Sequence, residues 1–107
     1  MNDRRREELV KVLKALANPI RLRMIASLYE EPKHVYALAK ELGIPYPLAY
    51  LHLKGLRKLG LVEEVREEER VGGMPTVKYY APSEFEFVLS PKSIWDVFSG
   101  KGGEEDG

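Results

Sequence analysis

A tight glycine turn between two short amphipathic segments constrains this sequence more than any other feature. Residues 35–42 have the helical period, with Leu38 and Leu42 one turn apart. Gly43 supplies the left-handed conformation that ends a helix, and Pro45 prevents that helix from continuing. A second helical segment follows at once, so the sequence predicts a helix-turn-helix over residues 35–59.

The second helix of this pair is predicted over residues 47–59, with Pro47 at its first position and Tyr46 extended before it. Gly55 lies in the middle of this helix, where we expect it to allow a neighbouring element to approach closely. A spacing of about 100° per residue divides the surface into two sides and two flanks. The core side carries Ala49, Leu53, Leu56 and Gly60, the outward side carries Pro47, Leu51, Lys54 and Lys58, and one flank carries Tyr50 and Arg57.

A β-hairpin is predicted directly after the helix pair. Residues 61–66 form a candidate strand with an acidic extension through residue 69, and residues 76–81 are β-branched and aromatic. The glycine-rich residues 71–75 between them are a turn. A hairpin in this position is a wing. The predicted fold class is therefore mainly α with a small β-hairpin (α+β), a winged helix-turn-helix.

Three further helices are predicted around this unit. Leucines recur with helical spacing over residues 3–17, and an Asn-Pro pair then caps a helix over residues 19–30. A Ser-Pro pair repeats this signal before a helix over residues 92–98. The alternating apolar residues between 85 and 89 fit either a short strand or a turn of helix. The predicted organisation is a single domain over 1–99, with the helix-turn-helix at 35–59, the wing at 61–81, a C-terminal segment at 84–99, and a disordered acidic tail at 100–107.

Composition and charge narrow the function. The 107 residues suffice for one domain, and the chain has no Cys. The net charge is zero, yet residues 1–60 hold 12 Lys/Arg against 6 Asp/Glu, and residues 61–107 hold 5 against 11. This asymmetry indicates a basic face, although an ordinary charged surface, like that of hyperthermophile proteins, is the alternative. The charged N-terminus and the lack of a long apolar run predict a cytoplasmic protein outside the membrane, and no catalytic constellation indicates an enzyme.

Three short sequence motifs together resemble those of a known family. They are the run from Lys14 to Ile25 (KALANPIRLRMI), the pair Leu38-Ala39 followed by Leu42-Gly43-Ile44, and the run from His52 to Val62 (HLKGLRKLGLV). Their order and spacing resemble those of ArsR-type (arsenical-repressor-like) transcription regulators over about residues 9–81. The resemblance implies a homodimeric winged helix that binds double-stranded operator DNA, usually as a repressor.

The resemblance also implies where the dimer forms and what the chain lacks. The first and last helices would lie at the dimer interface, which makes 84–99 the dimerisation segment. Metal-sensing members carry a Cys-x-Cys pair where this chain has His34 and Tyr36, and a last-helix metal site has only Asp96 to use here. We therefore expect no metal and no cofactor. The dimer interface residues implied are Leu9, Leu13, Ile94, Trp95 and Phe98.

The reading face is where this chain departs from the family pattern. The half of the helix from residue 46 to residue 51 is unusually apolar, and Leu51 cannot hydrogen-bond a base edge. It either contacts a thymine methyl group or belongs to a protein contact, so a winged-helix protein–protein interaction module without DNA binding is the alternative function. The wing's carboxylates would repel phosphate, so we expect them to face away from DNA or to pair with basic wing residues. The candidate DNA-binding residues are Tyr46, Tyr50, Leu51, Lys54, Arg57, Lys58, Arg70 and Lys78.

Overall fold

The computed structural model describes the chain from residue 2 to residue 99, with the side chains from residue 4 onward. This part of the chain contains five α-helices, a short 3-10 helix at Val71–Gly73 and one two-stranded antiparallel sheet. The predicted acidic tail, residues 100–107, lies outside the described residues. The fold class is confirmed as mainly α with a small hairpin. The elements in chain order are α1 (Asn2–Leu16), α2 (Pro19–Glu30), α3 (Val35–Leu42), α4 (Tyr46–Lys58), β1 (Val62–Glu68), β2 (Val77–Pro82) and α5 (Pro91–Phe98).

The helix ends follow from local capping chemistry. The Asn18 side-chain oxygen accepts hydrogen bonds from the backbone N–H groups of Ile20 and Arg21 at 2.9 and 3.3 Å, which satisfies two of the unpaired donors of α2. Gly43 ends α3 with a φ of 70°, and Ile44 donates back to the Ala39 carbonyl at 3.1 Å. These contacts set the tight turn between α3 and α4.

The start of α4 differs from the prediction. Tyr46 was expected to be extended before the proline, but it is the first residue of the helix, and Pro47 is the second. The helix tolerates this because the first turn has no intrahelical partner for its N–H groups, so a proline there removes no hydrogen bond. The Pro45 carbonyl accepts from Leu48 and Ala49 at 3.1 and 3.0 Å and closes the first turn.

The end of α4 leads directly into the wing. Gly60 has a φ of 76° and donates to the Arg57 carbonyl at 2.9 Å, while Leu61 donates to Leu56 at 2.9 Å. Gly60 was expected on the core side, but it is exposed and serves as the left-handed stop. The wing strands then pair in register from Val62 opposite Pro82, with a bulge between Glu64 and Arg66.

The chain divides into two compact units. One contains residues 15–85, and the other contains residues 2–14 together with residues 86–99. The larger unit holds the helix-turn-helix, the wing and a core of buried apolar side chains. At the centre of this core are Met24, Leu28, Leu38, Leu53 and Leu56.

A lysine before α3 fixes the loop between α2 and α3. Lys33 Nζ donates to Ser27 Oγ at 2.7 Å and to Glu41 Oε1 at 2.9 Å. The Lys33 backbone exchanges two hydrogen bonds with Tyr80 of β2, at 3.1 and 2.9 Å. The loop therefore lies along the open edge of β2 and places the start of α3 beside the wing.

The smaller unit joins most of α1 to α5. Arg6 donates from Nη2 to the Phe98 carbonyl at 2.7 Å, and its guanidinium lies 5.6 Å from the centroid of the Phe98 ring. This contact places a cation at the negative end of α5. Ser90 begins α5 with a reciprocal capping box to Ser93, as its Ser-Pro signal predicts. No helix between residues 2 and 99 is long and apolar enough to cross a membrane.

Candidate nucleic-acid interface

The inward side of α4 anchors it to the core. Ala49, Leu53 and Leu56 are buried, as the helical period predicts. Arg21 of α2 crosses the helix at Gly55, where an added Cβ would lie 3.0 Å from the Arg21 Nη2. The close approach expected at Gly55 is therefore that of an arginine side chain.

Arg21 also contacts His52 on α4. Its Nε donates to His52 Nδ1 at 3.1 Å, so the neutral imidazole carries its proton on Nε2. Burial lowers the pKa of His52, and the positive charge of Arg21 lowers this pKa further. No local sequence pattern indicates this pair, because its members are 31 residues apart.

The outward side of α4 presents bases and one large apolar residue to solvent. Lys54 and Lys58 are exposed, and Leu51 is 61% exposed. The three lie on the side opposite the buried residues. A basic strip thus occupies the C-terminal half of the helix and an apolar surface occupies its N-terminal half.

One flank of α4 faces the wing across an open cleft of about 390 Å³. Tyr46 and Tyr50 stack on this flank with ring centroids 6.4 Å apart and planes 8° from parallel. Arg57 continues the flank, and its guanidinium lies 5.2 Å from the centroid of the Tyr80 ring. Five of the eight candidate DNA-binding residues line this cleft, namely Tyr46, Tyr50, Arg57, Arg70 and Lys78.

The wing carboxylates are arranged on both faces of the hairpin. Directly opposed residues of an antiparallel pair share a face, and Glu67 lies opposite Lys78. Glu67 also accepts from Thr76 Oγ1 at 3.3 Å. Glu68, on the other face, forms an ion pair with Arg66 at 3.7 Å. The expected pairing of wing carboxylates with basic residues is thus found at Glu68, and Glu67 sits on the same face as Lys78.

Three aromatic residues of the cleft were not predicted as site residues from the sequence. His34 caps α3 by accepting from the Ala37 N–H at Nδ1 over 3.1 Å, whereas the sequence indicated only a linker there. Tyr36 and Tyr80 also line the cleft. Histidine is not among the usual capping residues, and the cleft joins residues far apart in the chain, so no local pattern indicated them.

The predicted dimer residues all belong to the smaller unit. Leu9 and Leu13 are half-buried on α1, and Ile94, Trp95 and Phe98 are exposed on α5. Trp95 is 52% exposed, a large apolar surface to leave in water. Across residues 4–99 no group of three or more His, Cys, Asp or Glu side chains is placed to hold a metal ion. The absence of metal sensing stays a prediction.

The helix pair, its glycine turn and the hairpin after it define a winged helix-turn-helix protein. Residues 18–64 match the family described as "Bacterial regulatory protein, arsR family". The chain is 35% identical over 94 residues to an "Uncharacterized HTH-type transcriptional regulator" of Methanocaldococcus jannaschii, across 88% of this chain and 96% of the relative. It is 32% identical over 96 residues to the "Biofilm growth-associated repressor" of Xylella fastidiosa, across 90% of this chain and 78% of the relative.

A solved structure agrees with these relatives. The homodimeric winged helix-turn-helix DNA-binding domain of a possible ArsR-family transcriptional regulator from Mycobacterium bovis matches with a TM-score of 0.58 and 26% identity. The match covers 94% of this chain and 80% of that one. The chain belongs to the ArsR family of DNA-binding transcription regulators, a class without enzymatic activity.

Proposed function

We propose that this protein is a homodimeric, sequence-specific repressor that inserts α4 into the major groove of operator DNA. The observation that carries the proposal is the two-sided character of α4. Ala49, Leu53 and Leu56 fix one side to the core, while Lys54 and Lys58 project from the other. Because its other side is packed on the core, α4 presents its basic side to a groove while the core stays intact.

Different residues of α4 position the helix on DNA and recognise the base sequence. Lys54 and Lys58 bind phosphates and set the register of the helix on the duplex. Leu51 contacts the methyl group of a thymine, and the hydroxyl groups of Tyr46 and Tyr50 bond phosphate or base edges. Base readout by hydrogen bonds is sparse on such a surface, so the shape of the operator supplies part of the specificity.

The wing and the cleft flank hold the DNA backbone beside the groove. Arg57, Arg70 and Lys78 place three positive charges between α4 and the hairpin. A phosphodiester strand that leaves the major groove passes these charges. Their contacts add affinity that is independent of sequence and decreases with salt.

The dimer forms through the smaller unit. Leu9, Leu13, Ile94, Trp95 and Phe98 supply an apolar surface on α1 and α5, and burying it in a two-fold interface removes it from water. On operator DNA, the two copies of α4 are expected to enter major-groove sites roughly 34 Å apart, one turn of the duplex. We propose that residues 84–99 are the dimerisation segment. We propose also that residues 1–99 form a single domain.

The proposal is tested by removing the basic strip. The double variant K54A/K58A is expected to reduce duplex affinity and to lower the slope of log K against log salt by about 2, since each phosphate contact contributes about 0.9. The double variant K11A/K14A removes the same charge from α1 and is expected to keep both. Unchanged duplex affinity and an unchanged salt slope in K54A/K58A would remove α4 from the DNA interface.

A protein-contact module is the second candidate function, and the exposure of Leu51 favours it. Large apolar residues on an outward surface mark protein contacts as well as thymine contacts. An L51A variant distinguishes the two functions. Loss of operator preference with non-specific binding retained supports the repressor, whereas unchanged DNA binding assigns Leu51 to a protein partner.

A further inference from the structure

The cleft between α4 and the wing has the size of a small-molecule site. Its volume of about 390 Å³ falls within the range of about 300–1,000 Å³ of ligand pockets. Three elements form it: the start of α3, one flank of α4, and the hairpin. All of them lie in the unit of residues 15–85.

The charge of the cleft selects an anion. Arg57, Arg70 and Lys78 line it, and among its lining residues in the described chain there is no Asp or Glu. Glu67 stands next to this set, opposite Lys78, and is held by Thr76. Glu64, opposite Tyr80, lies on the same hairpin face as Glu67. The three cations outnumber these two carboxylates, so the cleft carries a net positive charge that attracts carboxylates and phosphates.

The walls of the cleft select a planar ring. Tyr46 and Tyr50 present a pair of nearly parallel rings, and Tyr36 and Tyr80 complete an aromatic lining. The Arg57 guanidinium lies over the Tyr80 ring and adds a second planar surface. Aromatic rings bind flat ligands by stacking, whatever the substituents of those ligands.

We propose that this cleft binds a small aromatic anion, a planar ring bearing a phosphate or a carboxylate, and that the bound ligand excludes DNA. The exclusion of DNA rests on the proposed function, since five residues of the cleft are also proposed DNA contacts. Such a ligand releases the operator by direct competition. No change of shape is required.

Binding is measured first on the DNA-free, full-length protein by isothermal titration calorimetry at low salt. Adenosine 5′-monophosphate and salicylate are the two probes, and they distinguish a phosphate-bearing ring from a carboxylate-bearing one. Adenosine supplies a ring without an anion, and inorganic phosphate an anion without a ring. At least one probe is expected to bind about tenfold more tightly than either adenosine or phosphate. Equal binding of inorganic phosphate, or no binding of either probe, overturns the proposal.

Variants then locate the ligand. R70Q changes an exposed wing residue that lines the cleft, and it is expected to weaken the binding of the preferred probe about fivefold. K58Q removes the same charge from α4 outside the cleft, and it is expected to keep the affinity for the probe. R57Q is a second cleft variant, and its fold is checked by circular dichroism because Arg57 contacts Tyr80. Equal effects of R70Q and K58Q place the probe elsewhere and overturn the proposal.

The competition is measured separately. The preferred probe is expected to displace a labelled duplex from the wild-type protein at concentrations near its own Kd, whereas adenosine does not. A protein that binds the probe but no duplex contradicts the proposed function and leaves the ligand site standing. A protein that binds duplex and probe at the same time overturns the competition.

Discussion

Arg21 Nε donates a hydrogen bond to His52 Nδ1 at 3.1 Å, and this bond joins α2 to the face of α4 beside Gly55. The arginine lies against the glycine because no side chain occupies that position. The orientation of α4 thus depends on a polar contact as well as on its buried leucines.

This contact predicts a loss of stability in acid. The pKa of His52 is lowered from its ordinary value of 6.5, mainly by burial and then by Arg21. The folded state favours neutral imidazole, so the stabilisation is full above pH 6.5 and decreases as the pH falls below that value. Thermal unfolding between about pH 7.5 and pH 5 should show a smaller decrease in Tm for H52Q than for the wild-type protein. The other histidine, His34, is present in both proteins, so the difference reports on His52. Parallel Tm curves would contradict this role.

A double-mutant cycle tests the packing of Arg21 on Gly55. G55A gains about 1 kcal/mol of helix propensity but places its Cβ 3.0 Å from Arg21 Nη2. We therefore expect G55A to be more favourable in an R21A background than in the wild-type protein, by about 0.5–1 kcal/mol. Urea unfolding of the four proteins measures this coupling. Additive effects would show that Arg21 moves aside at no cost.

The position of Glu67 predicts that it weakens DNA binding. Glu67 lies opposite Lys78, whereas Glu63 lies opposite Ala81 on the other face of the hairpin. E67Q is expected to raise duplex affinity at low salt by about three- to tenfold, and E63Q by clearly less. Fluorescence anisotropy with a labelled duplex compares the two variants. A larger gain for E63Q would mean that the opposite face of the wing meets DNA.

The apolar surface of α5 predicts the effect of Trp95 on assembly. W95A should weaken the proposed dimer at least about tenfold, because tryptophans buried in an interface dominate its energetics. K92A, on the same helix, removes an exposed lysine that pairs with Asp96 at 3.1 Å, and it should leave the dimer unchanged. Sedimentation velocity over a range of concentrations distinguishes the two. A W95A protein as dimeric as the wild type would place the interface elsewhere.

Local signals predicted most of the fold because each depends on a few neighbouring residues. Asn18-Pro19, Gly43 and Ser90-Pro91 begin or end helices where the sequence placed them. The alternating residues 85–89 form neither strand nor helix. An alternating pattern forms a strand only where a partner strand is available.

The site was harder to predict because it is assembled across the chain. The helical period placed Lys54 and Lys58 on the outward side, where the structure has them. The cleft brings His34, Tyr50 and Lys78 together, and only the tertiary fold places such distant residues side by side. The contacts of Arg21 and the capping role of His34 depend on side-chain geometry, which periodicity does not report.

The most direct test of sequence-specific operator binding is a gel shift with the wild-type protein and the duplex upstream of its own gene, repeated over a range of salt concentrations. We expect a saturable complex of one dimer per site whose affinity falls steeply with salt and exceeds that for an unrelated duplex by about a thousandfold or more. The absence of any complex at low salt, or equal affinity for both duplexes, would contradict it.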